Sequence, residues 1–230
     1  MRRLGGGRKY FLIWLLYTHP KRTAGFRVVF SGFISRTIAE YSSLMGVSKS
    51  LEDTEKVVAG ALLAPSNVRD PTQHAYRVFY AVHERISPTS ENGPTSRFIG
   101  TILLRSLEGG SLDLSPPLVP APSTSLTNPF LTIELSYQFL PAAWGKGYAG
   151  ESLNAVFEAC AKNTAVWKPY ERVYCRVIVN DGNPASLRVM SKLGVKEKGV
   201  YKWTGKIWLA GGWRYEDDLH IFGRWFLGEE

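Results

Sequence analysis

The sequence predicts a mixed α/β fold, a sheet with helices on both faces. Three segments carry that expectation. Leu131 to Phe139 alternates, with Ile133, Leu135, Tyr137 and Phe139 on one face and Thr132, Glu134, Ser136 and Gln138 on the other, the pattern of a half-buried strand. Leu153, Val156, Phe157 and Cys160 fall at the i, i+3, i+4, i+7 spacing of a buried helical stripe. Arg172 to Val179 is a valine-rich strand.

The other elements follow in chain order. Gly25 to Phe33 is rich in β-branched and aromatic residues and reads as a strand. Ile34 to Met45 reads as a first helix ending near Gly46. Ser50 and Asp53 form a capping-box-like pair ahead of Val57, Val58, Ala61 and Leu62, which share one helical face up to Pro65. Tyr76–His83 and Phe98–Leu104 are expected strands, separated by a Pro-, Ser- and Gly-rich loop from Ser87 to Ser96. A longer loop, 108–129, carries Pro116, Pro117, Pro120, Pro122 and Pro129 and reads as an insertion within one domain. After the strand ending before Pro141 comes a glycine loop, then a helix starting near Gly150. Asn183 is placed to cap a further helix with Pro184 at its first position, and Gly194 to end it as a left-handed cap. Leu187, Met190 and Leu193 face inward on that helix. Val195–Trp203 and Leu219–Phe226 read as closing antiparallel strands.

At 230 residues the chain is long enough to bury a substantial core. Its formal charge is +8, part of it from Arg2, Arg3, Arg8, Lys9, Lys21, Arg22 and Arg27, which precede any acidic residue. Such an excess attracts anions of many kinds, or is a solvated basic tail. No zinc spacing or aromatic RNA motif accompanies it, so nucleic acid is not an expected partner. The two cysteines, Cys160 and Cys175, are too few for a disulfide framework and read as reduced core residues. Residues 1–24 form a basic N-terminal extension, and 25–230 a single domain. Tyr10–Tyr17 is too short to span a bilayer, which takes about 20 apolar residues. Basic-then-apolar order there resembles a signal peptide, but His19-Pro20-Lys21-Arg22 stands where a small-residue cleavage site belongs. The segment reads as a buried strand, or as residues ahead of the true start of the chain. The expected location is cytoplasmic, without stable membrane insertion.

The glycine loop Trp144-Gly145-Lys146-Gly147-Tyr148-Ala149-Gly150 stands between a strand and a helix. The first amides of a helix have no intrahelical partner, and glycines let several of them converge on one anion, aided by the helix dipole. Lys146 adds a charge at the rim. A diphosphate suits such a nest. The spacing is not that of a P-loop, and no βαβ unit with a ribose-binding acid accompanies it. A tight strand-to-helix turn would use similar residues.

Three motifs in order resemble the GNAT superfamily of N-acetyltransferases. They are Glu134-Leu135-Ser136-Tyr137, then Trp144-Gly145-Lys146-Gly147-Tyr148-Ala149 followed by Glu151, then Asn183-Pro184-Ala185-Ser186 leading to Lys192-Leu193-Gly194-Val195. Within the superfamily the chain is most similar to the branch containing ribosomal-protein N-terminal acetyltransferases. The cofactor loop there reads Gln/Arg-x-x-Gly-x-Gly/Ala. Trp144 occupies its first position, Gly147 its fourth and Ala149 its sixth, and the tryptophan departs from the superfamily pattern but suits this branch. The likeness runs from about Thr132 to Val195, less closely to Phe226 and weakly over Ser50–Leu63. It implies a twisted, mostly antiparallel sheet and acetyl-CoA as cosubstrate, with no metal. The cofactor would be held by Tyr137, Phe139, Leu140, Trp144, Gly145, Lys146, Gly147, Tyr148, Ala149 and Asn183.

The resemblance also implies an acyltransferase (EC 2.3.1) that works by direct attack of an amine on the thioester, with a backbone N–H near Tyr137–Leu140 polarising the carbonyl. Glu134 is the expected base, through water, with a solvent-facing or salt-bridged role as its alternative. Ser186 is the expected contact to the leaving sulfur, or an ordinary first-turn serine. The acceptor is a small-molecule amine or a peptide N-terminus, and the enzyme a monomer or homodimer. Trp203, Trp208, Trp213 and Tyr215 line an acceptor pocket or simply pack a hairpin. Glu216, Asp217 and Asp218 attract a cationic amine or form a turn. A non-catalytic acyl-CoA-binding module of the same fold is the alternative function.

Overall fold

The computed structural model describes residues 10–17, 76–86, 96–107, 111–120, 130–209 and 212–228. The expected strand at Gly25–Phe33 and the helices between Ile34 and Pro65 lie outside the described residues, as does most of the Ser87–Ser96 loop. Seven strands form one sheet among the described residues: β1 (Tyr10–Tyr17), β2 (Arg77–Arg85), β3 (Ser96–Ser106), β4 (Phe130–Phe139), β5 (Arg172–Asn180), β6 (Lys196–Leu209) and β7 (Gly212–Leu227). Their order is β1-β2-β3-β4-β5-β7-β6. β1 runs antiparallel to β2, β4 parallel to β5, and β5 antiparallel to β7. Two α-helices are described, α1 (Tyr148–Lys162) and α2 (Pro184–Lys192). None of the described helices is long and apolar enough to cross a membrane.

The expected elements of the second half are present. The apolar run Tyr10–Tyr17 is a strand, paired from Tyr10↔Glu84 to Tyr17↔Val78. The last strand starts at Gly212, seven residues before the expected Leu219. Gly212–Asp218 is polar and aromatic, so hydrophobic alternation does not reveal it; its partners do.

The chain divides into two compact units. The first comprises Met1–Leu103, Tyr137–Tyr148 and Trp208–Gly212. Its described core includes Val78, Tyr80, Val82, Ile99 and Phe139. Gly100 lies so close to β4 that an added Cβ would stand 2.4 Å from the Gln138 carbonyl oxygen.

The second unit comprises Leu104–Ser136, Ala149–Ile207 and Trp213–Glu230. Here the α1 stripe of Leu153, Val156, Phe157 and Cys160 is buried, as are β5 residues Val173 to Val177. Phe226 packs against both Phe157 and Trp167. Cys160 and Cys175 are buried free thiols, and burial pushes the Cys175 pKa up. On α2, Asn183 caps the N-terminus by accepting from Ser186 N–H at 3.1 Å, and Gly194 has φ +64° beyond the C-terminus. Met190 is fully buried, whereas Leu187 and Leu193 are half-buried. Within the 108–129 loop, residues 111–120 are described: Leu114 is buried, and Leu118 lies over Gly199 of β6.

Gly223 of β7 makes room for the buried Tyr174 phenol, since a Cβ there would stand 1.6 Å from its oxygen. Overpacking of that kind costs about 1–3 kcal/mol. Gly223→Ala is therefore expected to lower unfolding free energy by about 2 kcal/mol in a denaturant titration, with little loss at the half-buried Gly150, where the same substitution meets no described residue.

Candidate active site

β4 ends at Phe139, and a 3-10 turn (Pro141–Ala143) leads into the glycine loop. Leu140 N–H donates to the Ile99 carbonyl at 2.8 Å, fixing the end of β4 to β3. Successive strand residues present their backbone groups to opposite edges. The Phe139 carbonyl therefore points away from β3, and Trp144 Nε1–H donates to it at 2.7 Å. This bond orients an indole that is otherwise 48% exposed.

Gly145 and Gly147 have φ of +71° and +83°. A side chain is rarely accommodated there, and no described residue lies within 4 Å of where either Cβ would stand. Among the described residues the space beside these two positions is open, and the first amides of a helix have no intrahelical acceptor. Lys146 is exposed at the rim. The loop thus has the features of an anion-binding nest.

Tyr148, the first residue of α1, is buried, and its hydroxyl donates to Glu84 on β2. Arg97 on β3 forms an ion pair with the same carboxylate, with its Nε–H donating at 3.2 Å. Hydrogen bonds from Tyr148 and then Arg97 hold the Glu84 pKa below the usual carboxylate range, and the Lys146 charge acts in the same direction.

In the second unit, Glu134 lies between two guanidinium groups. Arg105 donates to its Oε1 at 2.6 Å, and Arg176 donates twice to its Oε2, at 3.1 and 2.9 Å. The Arg176 side chain is only 1% exposed. Burial pushes the Glu134 pKa up, but the Arg105 hydrogen bond and the Arg176 charge outweigh it, and the net shift is downward. A carboxylate with both oxygens engaged and a depressed pKa is a poor proton acceptor. Its placement fits the salt-bridged role better than the base. Glu134↔Arg176 is also the last pair in the parallel register of β4 with β5, although β4 runs on to Phe139 and β5 to Asn180.

Ser186 is half-buried in the first turn of α2, its N–H capped by Asn183. The acidic residues of the β6–β7 hairpin are largely engaged. Asp217 accepts from Asn180 and lies 3.7 Å from Arg214, and Asp218 pairs with Lys202 at 3.0 Å. Trp213 and Tyr215 are 55% and 62% exposed, with Lys206 over the Trp213 ring.

Of the residues singled out in the sequence, Tyr137–Tyr148 fall in the first unit, and Glu134, Ala149, Asn183 and Ser186 in the second. Sequence reasoning missed Glu84, Arg97, Arg105 and Arg176. Arg176 did leave a signal: a charge inside a valine-rich strand is rarely buried without a partner.

The chain matches the family model described as the acetyltransferase (GNAT) domain over residues 25–196. A search of curated proteins returns no match. Among solved structures, the chain is similar to a GNAT-family acetyltransferase from Bacillus anthracis at 19% identity, TM-score 0.46, covering 82% of this chain and 81% of that one. It is similar to spermidine N-acetyltransferase from Vibrio cholerae, in complex with CoA and spermine, at 15% identity and TM-score 0.46, covering 82% of each. A third is RimL, a ribosomal L7/L12 alpha-N-protein acetyltransferase in complex with coenzyme A. It is 17% identical with TM-score 0.45, covering 76% of this chain and 73% of that one.

Removing one partner of a buried ion pair costs about 3–5 kcal/mol. Glu134→Gln strands the charge of Arg176, and unfolding free energy is expected to fall by about 3 kcal/mol in a denaturant titration. In the wild type, folded Glu134 binds its proton less tightly than in the unfolded chain. Its contribution is therefore complete above an ordinary glutamate pKa of about 4.3, and is lost as pH falls through the depressed folded value. Stability against pH should show this acid-side loss in the wild type and a smaller one in the variant.

Proposed function

The chain belongs to the GNAT acetyltransferase family, and from that premise we propose that it transfers the acetyl group of acetyl-CoA to a primary amine, of a small molecule or a peptide N-terminus, by direct attack. The observation that carries this reading is the glycine loop. Two positive-φ glycines, with open space beside them among the described residues, precede the first turn of α1, with a lysine at the rim. A diphosphate is the anion whose two charged centres such a nest accommodates.

In this reading Gly145, Lys146, Gly147, Tyr148 and Ala149 hold the diphosphate, while Trp144 fixes the start of the loop. The end of β4, at Tyr137, Phe139 and Leu140, supplies backbone groups to the pantetheine arm and the thioester carbonyl. Asn183 contributes to the arm, and Ser186 donates to the leaving sulfur. The amine nitrogen forms a bond to the carbonyl carbon, the carbon–sulfur bond breaks, and the thiolate leaves with a proton. Proximity and orientation account for most of the acceleration. Glu134 stiffens the pairing of β4 with β5, and the amine's extra proton passes to solvent. The expected setting remains cytoplasmic, with the chain acting as monomer or homodimer.

Acetyl-CoA is expected to raise the melting temperature of the wild type. Gly147→Trp, which forces a side chain into a left-handed position and fills the nest, should abolish the shift. An equal shift in the variant would contradict the reading. With any accepted amine, log kcat/KM should climb with pH at unit slope toward the acceptor's own amine pKa. A plateau whose midpoint stays near neutrality for acceptors of different basicity would instead reveal a protein base.

A further inference from the structure

Glu84 places a carboxylate beside a loop suited to an anion, and its neighbours offset that charge. The Tyr148 hydroxyl donates to it from the first residue of α1, and Arg97 pairs with it from β3. Lys146 is close enough for its charge to act on the same carboxylate. All four residues belong to one compact unit. The carboxylate is largely shielded, whereas Arg97 is more than half exposed.

We propose that Glu84 and Arg97 are positioning residues for the coenzyme: Glu84 holds Tyr148 so that the loop amides converge, and Arg97 cancels the Glu84 charge so that Lys146 serves the diphosphate instead. The inference rests on the reading of the loop as the diphosphate site. Its physical content is a competition. The carboxylate is useful as a hydrogen-bond acceptor for Tyr148 but harmful as a charge, because it repels the anion and attracts Lys146. Arg97 removes the second effect and leaves the first. A glutamine at position 84 would keep an acceptor for the tyrosine and carry no charge. Once Glu84 is neutral, Arg97 should no longer matter to the coenzyme. A role limited to stabilising the fold would not produce that dependence.

The test is calorimetric titration of the full chain with coenzyme A at low salt. Wild type is compared with Arg97→Ala, Glu84→Gln and the double variant, with each melting temperature recorded. Arg97→Ala should weaken binding about fivefold, the size of one partly screened charge contact. Glu84→Gln should bind within about twofold of wild type, and the double variant should recover to that level. Raising the salt should shrink the Arg97→Ala defect. A double variant as weak as Arg97→Ala, or an Arg97→Ala protein that binds like wild type, overturns the proposal. Tyr148→Phe removes a single oxygen and serves if Arg97→Ala does not fold. It should weaken coenzyme A binding measurably, and unchanged binding counts against the proposal. A wild type that gives no heat with coenzyme A sinks the acetyltransferase site and this inference together, whereas normal wild-type binding with a failed charge rescue sinks only the inference.

Discussion

The turn at Gly145 and Gly147 is the constraint on which the candidate site depends. Both residues occupy backbone conformations that a Cβ disfavours, and they lie between the end of β4 and the start of α1. The cost of ordering such a loop is offset by side chains at its two ends. Trp144 reaches back to the Phe139 carbonyl, and Tyr148 reaches across to Glu84. A nest held in shape before the ligand arrives loses less entropy on binding.

Each compact unit has its own polar device. In the first, Glu84 with Arg97 and Tyr148 secures the loop. In the second, Glu134 with Arg105 and Arg176 neutralises a buried arginine inside the sheet. A further set ties the turn after β5 to the last two strands: His220 bonds to Glu197 at 2.7 Å and to Asp181 at 3.3 Å. The hydrogen bond that His220 donates to Glu197, joined by that to Asp181, outweighs burial and raises the His220 pKa. These networks join residues far apart in sequence, as the sheet order requires.

The fold was legible where periodicity is strong. β4 alternates and is half-buried as its pattern demands, the α1 stripe is buried residue for residue, and Asn183, Pro184 and Gly194 bracket α2 with the capping chemistry their types suggest. The start of β7 was not legible, because the alternation of Trp213 to Glu216 is short and breaks at Asp217 and Asp218, which are held by Asn180 and Lys202. For the candidate site, the loop could be read because glycine, lysine and a following helix are local features. Glu84, Arg97, Arg105 and Arg176 could not, since nothing local pairs β2 with the start of α1 or β3 with β5. Glu134 illustrates the difference: its polar position on β4 was visible, but the two arginines that lower its basicity were not.

The most direct test of the account is an amide NMR titration with coenzyme A, repeated with 3′-phosphoadenosine 5′-diphosphate, which keeps the diphosphate, and with pantetheine. The account predicts that the amides of Gly145, Gly147, Tyr148 and Ala149 respond most strongly to coenzyme A, and much less to pantetheine, which lacks the diphosphate. Large responses elsewhere with those four amides unmoved would contradict it.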